Sequence, residues 1–287
     1  MKQKATICTI CGTKSTSSIA LPYSDGSKEK EYYIFKCCNY YRQKNFLTDK
    51  EIESLYSKDY EGFQYTGLNY YKRKLFLYLK VLRFEKYIKG KDVLEIGAST
   101  GDYLDMCRHF HPTSLSGVEL SKHASSVAKK KYGFSFINKD IDTYKTNKKF
   151  DTIFMFHVIE HLKDPIKAIN SYEKLLKKGG ILIMETPNID SWEYHFFSNK
   201  WIALKVPFHL YLFSSLAFKR SVQRTSFQSV NIFHEPVTIT YPLQFYCFNK
   251  VLTQIFYIPL FAIYELIYYI SALIHKSGAI TVYMKKK

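Results

Sequence analysis

Residues Lys91 to Leu104 read KDVLEIGASTGDYL, and the fold turns on how this stretch is read. Asp92 to Ile96 form a short apolar run interrupted by a carboxylate, Glu95. Small residues follow from Gly97 to Gly101, and a helical pattern starts at Asp102. Glycines at a strand-to-helix turn let the backbone approach a ligand closely and let helix pack on strand. The dinucleotide fingerprint G-x-G-x-x-G is absent. Instead an acidic residue is followed by small residues at every second position, Gly97, Ser99 and Gly101.

Downstream the chain alternates two periods. Strand candidates lie at Val93–Ile96, Ser114–Val118, Phe134–Ile137, Thr152–Phe156, Ile181–Glu185 and Phe227–His234. Helix candidates lie between them at Asp102–Phe110, Lys122–Tyr132, Pro165–Leu176 and Ser214–Arg224. Strands spaced by helices of about ten residues make βαβ units and a parallel sheet, which binds ligands outside the carboxyl ends of its strands. The second strand ends in Glu119, about 20 residues past the glycines, placed to accept hydrogen bonds from ribose hydroxyls. The third leads to Asp140, suited to an adenine amino group. Upstream, Asp49–Tyr56 has helical spacing and a cap, and Tyr71–Tyr87 repeats Leu75, Leu79, Leu82 and Tyr87 at helical intervals.

Taken together, VLEIGASTG, GVEL, NKDI, FDTIFMFHVIEHLKDP, LLKKGGILIMETPN and SFQSVNI, in this order over residues 91 to 235, resemble the class I S-adenosylmethionine (SAM)-dependent methyltransferases. HVIEHLKDP with KKGG and METPN looks like the branch of sugar-modifying and ubiquinone-type enzymes. The resemblance implies a Rossmann-like, mostly parallel seven-stranded sheet with helices on both faces. It implies a SAM pocket formed by Glu95, Gly97, Ala98, Ser99, Gly101, Glu119, Leu120, Asp140, Ile141 and His157. Ser99 stands where the family carries a glycine, a replacement expected to be tolerated if φ stays negative.

Methyl transfer needs the acceptor held in line with the methyl and, for a hydroxyl or acidic C–H, a base. Helical periodicity would put His157 and Glu160 or His161 on one face. The resemblance sets His209, in WIALKVPFHLYLF, near the acceptor as base or substrate ligand. The ubiquinone-type relatives suggest Glu160 and His161 as ligands of a divalent ion.

The chain has 287 residues and six cysteines. Cys8-Thr9-Ile10-Cys11-Gly12 is a C-x-x-C knuckle with a turn glycine, as zinc ribbons have, and Cys37 and Cys38 supply a second pair. Relatives carry such zinc modules before the methyltransferase domain. Here the second cysteines are adjacent, which strains joint ligation, and Tyr40 occupies an expected ligand position. The N-terminus contains no apolar stretch resembling a secretion signal, so free intracellular thiols are expected.

Four regions follow: a zinc-ribbon-like module (1–45), a helical lead-in (46–90), a SAM-binding core (91–235), and an apolar helical insertion with a final strand near 279–284 (236–287). Residues 251–274 carry one formal charge, Glu265, and are otherwise apolar, fitting a membrane-facing, substrate-covering or buried helical region across 242–277. The net charge of +17 is scattered over the chain without a basic arm. These readings lead to a cytoplasmic enzyme, with peripheral membrane contact through 242–277 as an option, methylating a sugar or surface-polysaccharide precursor, with no nucleic-acid partner. Two alternatives stand beside it: a quinone-like small aromatic as acceptor, or a nucleic-acid-binding protein or RNA methyltransferase.

Overall fold

In the computed structural model, the residues described are 6–15, 17–23, 28–46, 48, 51, 67–139, 144, 146–235 and 266–287. Five short strands open the chain: β1 (Thr6–Ile7), β2 (Lys14–Ser15), β3 (Ser18–Pro22), β4 (Glu29–Phe35) and β5 (Tyr40–Gln43). β1 and β2 form the knuckle hairpin, while β3, β4 and β5 make an antiparallel sheet.

Helices α1 (Gly67–Leu82) and α2 (Glu85–Ile88) follow. Their buried residues are Leu77, Val81, Phe84 and Ile88, which pack on Val93, Phe154 and Ile183 of the main sheet. The expected stripe was displaced: Leu75, Leu79 and Leu82 are exposed.

The core then runs β6 (Asp92–Ile96), α3 (Asp102–Cys107), β7 (Ser114–Val118), α4 (Lys122–Tyr132), β8 (Phe150–Phe156), α5 (Pro165–Glu173), β9 (Leu176–Pro187), α6 (Trp192–Phe197), β10 (Tyr211–Leu212), α7 (Ser215–Ser221), β11 (Phe227–His234) and β12 (Ala279–Lys286). The helices start where side chains can cap. Ser121 accepts from the Ala124 N–H, and Asp164 accepts from the Lys167 N–H with Pro165 next in line.

The main sheet has the order β11-β12-β9-β8-β6-β7, with β9, β8, β6 and β7 parallel and β12 antiparallel to both its neighbours. The inner strands β6 and β8 are buried on both faces, as their apolar runs require. Among the described residues the sheet has six strands, not seven. Phe134–Ile137 contributes only the single bridge Val118↔Ile137. Its rings explain this: Phe134 and Phe136 stack on each other at 5.6 Å, and Phe136 fills the space beside Gly117, where a Cβ would lie 2.5 Å from it. The segment therefore clamps the sheet edge without forming a ladder.

The two sheets are joined, because β10 of the core pairs antiparallel with β5 of the N-terminal sheet. Of the apolar C-terminal region, 266–273 is helical, with Leu266, Tyr269, Leu273 and Ile274 exposed and Tyr268 buried. The rest of 236–265, Cys247, the Asp49–Tyr56 helix apart from residue 51, and Asp140 and Ile141 lie outside the described residues. Among the described residues no helix is long and apolar enough to cross a membrane.

Candidate functional site

The carboxyl end of β6 turns sharply at Gly97 (φ 73°), where an added Cβ would sit 2.4 Å from the Val158 side chain. Only glycine fits between this loop and the segment after β8. Ser99 was expected to keep a negative φ; it does not. Its φ is 48°, in the left-handed region, because the loop must aim the Ser99 N–H at the Glu119 carboxylate, 2.8 Å away.

Glu119 also accepts from the Ser121 N–H at 2.8 Å, so one carboxylate ties the first loop to the second. Burial raises its pKa against these N–H donors. Glu95 is buried with Oε2 lacking a hydrogen-bond partner, and burial, with the charges of Asp102 and Glu119, holds its pKa well above the usual carboxylate range. Exposed Leu120 completes the rim. A cradle that only glycine can line, beside an unsatisfied buried carboxylate, fits an amino- and hydroxyl-bearing cofactor.

Val158 carries this loop on to the second cluster. The HVIEH segment is not the start of a helix. His157 adopts φ 55°, and a 3₁₀ turn spans Ile159–His161. Its ring, 49% exposed, bridges two carboxylates: Nε2 is 3.0 Å from Glu185 Oε1 and Nδ1 is 3.5 Å from Glu160 Oε1. Burial would depress its pKa, but the hydrogen bonds and charges of Glu160 and Glu185 outweigh that and raise it to about 9.

Glu160 is fully buried, with its Oε2 held by the Thr186 hydroxyl at 3.0 Å and its Oε1 met by His157 at the longer 3.5 Å. His209 arrives from the loop before β10, with Nε2 3.8 Å from that Oε1 and Nδ1 buried without a partner. Burial, and next the nearby His161, push the His209 pKa well below 6.5. His161 donates its Nδ1–H to the Phe208 carbonyl at 3.0 Å, and its ring meets that of His209 at 4.8 Å. The ligand atoms of Glu160, His161 and His209 lie within 4.8 Å of one another. Two clusters distant in sequence thus converge beside the cofactor loop.

Sequence reading missed the buried charges that fix His157. Glu185 bonds Lys80 Nζ at 2.5 Å, across a separation of 105 residues, and Thr281 bridges Glu185 and Glu235. Glu185 had a visible signal, a carboxylate ending the apolar strand ILIMETP. Lys80 had none, being one of many lysines.

At the N-terminus the four sulfurs of Cys8, Cys11, Cys37 and Cys38 lie within 4.8 Å of one another. Cys8–Cys38 is 3.7 Å and Cys11–Cys37 is 3.3 Å. Adjacent cysteines were expected to resist this. The turn at Asn39 (φ 47°) brings both inward, and Tyr40 instead donates its hydroxyl to Cys8 Sγ at 3.4 Å.

Curated relatives include a tRNA U34 carboxymethyltransferase of Campylobacter concisus, 30% identical over 127 residues, covering 40% of this chain and 42% of that protein. Its counterpart in Campylobacter jejuni is 28% identical over 167 residues, 55% of this chain and 56% of that one. The chain spans about half the length of the curated relatives it matches. These relatives are named for a tRNA acceptor. They overturn the expectation of a sugar or polysaccharide-precursor acceptor and of no nucleic-acid partner. Among solved structures, a SAM-dependent methyltransferase of Archaeoglobus fulgidus superposes with TM-score 0.53 at 18% identity, over 82% of this chain and 99% of that one. It shows the shared fold. Residues 69–232 match the family model described as a methyltransferase domain, and the chain belongs to that family, with the fold of a class I SAM-dependent methyltransferase.

Proposed function

We propose that this enzyme transfers a methyl or a carboxymethyl group from a SAM-type cofactor to a base in tRNA. The observation that carries the reading is the set of relatives named for U34 of tRNA. The net charge of +17 supports it, since phosphate neutralisation supplies most non-specific RNA affinity.

The cofactor supplies an electrophilic carbon when bound. Glu95, Gly97, Ala98, Ser99, Gly101, Glu119, Leu120 and His157 would hold it, with Asp140 and Ile141 as further candidates. On the acceptor side His209 serves as base. Burial keeps it neutral near pH 7, Glu160 faces its Nε2, and its Nδ1 is unpartnered. The acceptor's proton passes to that nitrogen as its bond to the new carbon forms. Glu160, His161 and His209 also form a donor set suited to a divalent ion, in which case His209 would be a ligand and not the base.

The N-terminal unit, 1–45, is proposed as a structural zinc module feeding through 46–90 into the core, 91–235, with 236–287 closing the sheet. A tetrahedral site with Zn–S of about 2.3 Å places sulfurs about 3.8 Å apart, close to the Cys8–Cys38 spacing. The test of function is transfer of label from SAM to purified tRNA, followed by nucleoside mass spectrometry to identify the base and the group added. Absence of transfer to tRNA, with transfer to another acceptor, overturns the reading.

A further inference from the structure

A groove of ≈ 690 Å³ opens between α2 and the β9–β12–β11 edge, running from the end of the main sheet remote from the cofactor loop up to Phe233. Its wall carries five cationic side chains, Arg83, Lys86, Lys91, Lys178 and Lys285, against one carboxylate, Asp151. Asp151 is already engaged, by Lys177 at 2.8 Å and by the Asp92 N–H at 2.9 Å. Arg83 is paired with Glu235 at 2.8 Å. Lys91, Lys178 and Lys285 form no ion pair among the described residues.

Three aromatic rings lie among these cations. Tyr87 and Tyr283 meet at 5.8 Å, and Phe233 is 41% exposed with the Arg83 guanidinium 5.0 Å over its ring. Asn231 adds an amide to the lining. Lysines without ion pairs among the described residues, beside the exposed Phe233 ring and an amide, suit a chain that alternates phosphates with planar bases. The volume is within the ~300–1,000 Å³ of small-ligand pockets, so nucleotide-sized groups enter it. The lysine end of the groove lies at the amino ends of the strands, roughly 20 Å from the cofactor loop along strands such as β8, seven residues long, at about 3.3 Å per residue. Phe233 is level with Thr281 and Glu185 in the sheet register, toward the carboxyl end.

We infer that this groove grips a single-stranded or looped segment of the substrate RNA away from the reacting base, with phosphates on Lys91, Lys178 and Lys285 and a base against Phe233. The inference rests on the tRNA reading above. It assigns the groove to anchoring and not to chemistry.

The test compares wild type with the triple variant Lys91→Glu, Lys178→Glu, Lys285→Glu. A control triple with the same charge change elsewhere is Lys129→Glu, Lys130→Glu, Lys167→Glu. The groove triple should lose at least about tenfold in tRNA affinity at physiological ionic strength. Its log–log salt dependence should flatten by about 2, at roughly 0.7 per phosphate contact. KM for tRNA should rise while kcat and the affinity for S-adenosylhomocysteine stay near wild type. Phe233→Ser, which leaves the charges intact, should weaken binding about tenfold without changing the salt dependence. Equal losses in both triples would show a general charge effect and overturn the groove. So would wild-type affinity in the groove triple and in Phe233→Ser while wild type methylates tRNA, and the tRNA reading would then stand. A wild-type protein that neither binds nor modifies tRNA removes that reading and the groove with it.

Discussion

The phenolic hydroxyl of Tyr32, in the N-terminal sheet, donates a 2.6 Å hydrogen bond to the backbone carbonyl of His209 in the core. Gln43 Nε2 donates to the neighbouring Pro207 carbonyl at 2.7 Å and to Tyr32 Oη at 3.0 Å. The loop that delivers the candidate base is therefore held by the cysteine module, and β10 pairing with β5 reinforces it. Tyr32→Phe should lower kcat by several-fold to about tenfold, consistent with losing about 1 kcal/mol of a buried hydrogen bond. Binding of S-adenosylhomocysteine, measured by calorimetry, should not change.

Removing zinc tests the same connection from further away. Chelation should lower the melting temperature and release near-stoichiometric zinc, read by elemental analysis. The stability lost should reach several kcal/mol, since structural zinc adds directly to folding energy, about 10 kcal/mol or more in small modules. A stably folded, metal-free preparation would count against the module's metal.

His209→Asn should reduce kcat about 10²–10⁴-fold with cofactor affinity intact, the range of a lost general base. Glu160→Gln should cost less, about 10²-fold, because it removes the charge that faces Nε2 and not the base itself. Since burial holds the His209 pKa well below 6.5, the rate should stay flat as pH falls through 6.5 and decline only in more acidic solution. A rate that instead titrates near 6.5 assigns the base elsewhere.

His157 gives a stability prediction of opposite sense. Its pKa is raised from 6.5 to about 9 in the folded protein. The stabilisation is therefore complete below about pH 6.5 and disappears as pH rises through about 9. The ring is half-exposed, so solvent screening limits the loss to roughly 1 kcal/mol. Urea unfolding of wild type and His157→Asn should converge at high pH.

Ser99→Gly should stabilise the protein by up to about 1 kcal/mol, by relieving a left-handed serine at the cost of some chain entropy. Gly97→Ala should abolish cofactor binding, because its Cβ meets Val158. Thermal unfolding and calorimetry separate the two effects.

The order of strands and helices, the glycine turn after Glu95 and the place of Glu119 at the end of the second strand were all legible locally. Apolar runs, caps and small residues act over a few positions, and their spacing survives in the linear chain. The seventh strand was misjudged because Phe134 and Phe136 look like strand residues until Gly117 offers them a place to pack. The left-handed Ser99 was equally hidden, since its φ answers to a carboxylate on the next strand.

The sequence by itself determined that this is an α/β methyltransferase fold with a cysteine module in front. Only the tertiary structure decided that Cys37 and Cys38 both turn toward Cys8 and Cys11, and that Glu160 meets His209. It also set Lys80 against Glu185. Each is a contact between buried or charged groups from distant parts of the chain. Periodicity records which face a residue occupies, whereas the partner it finds there is set by how separate elements pack.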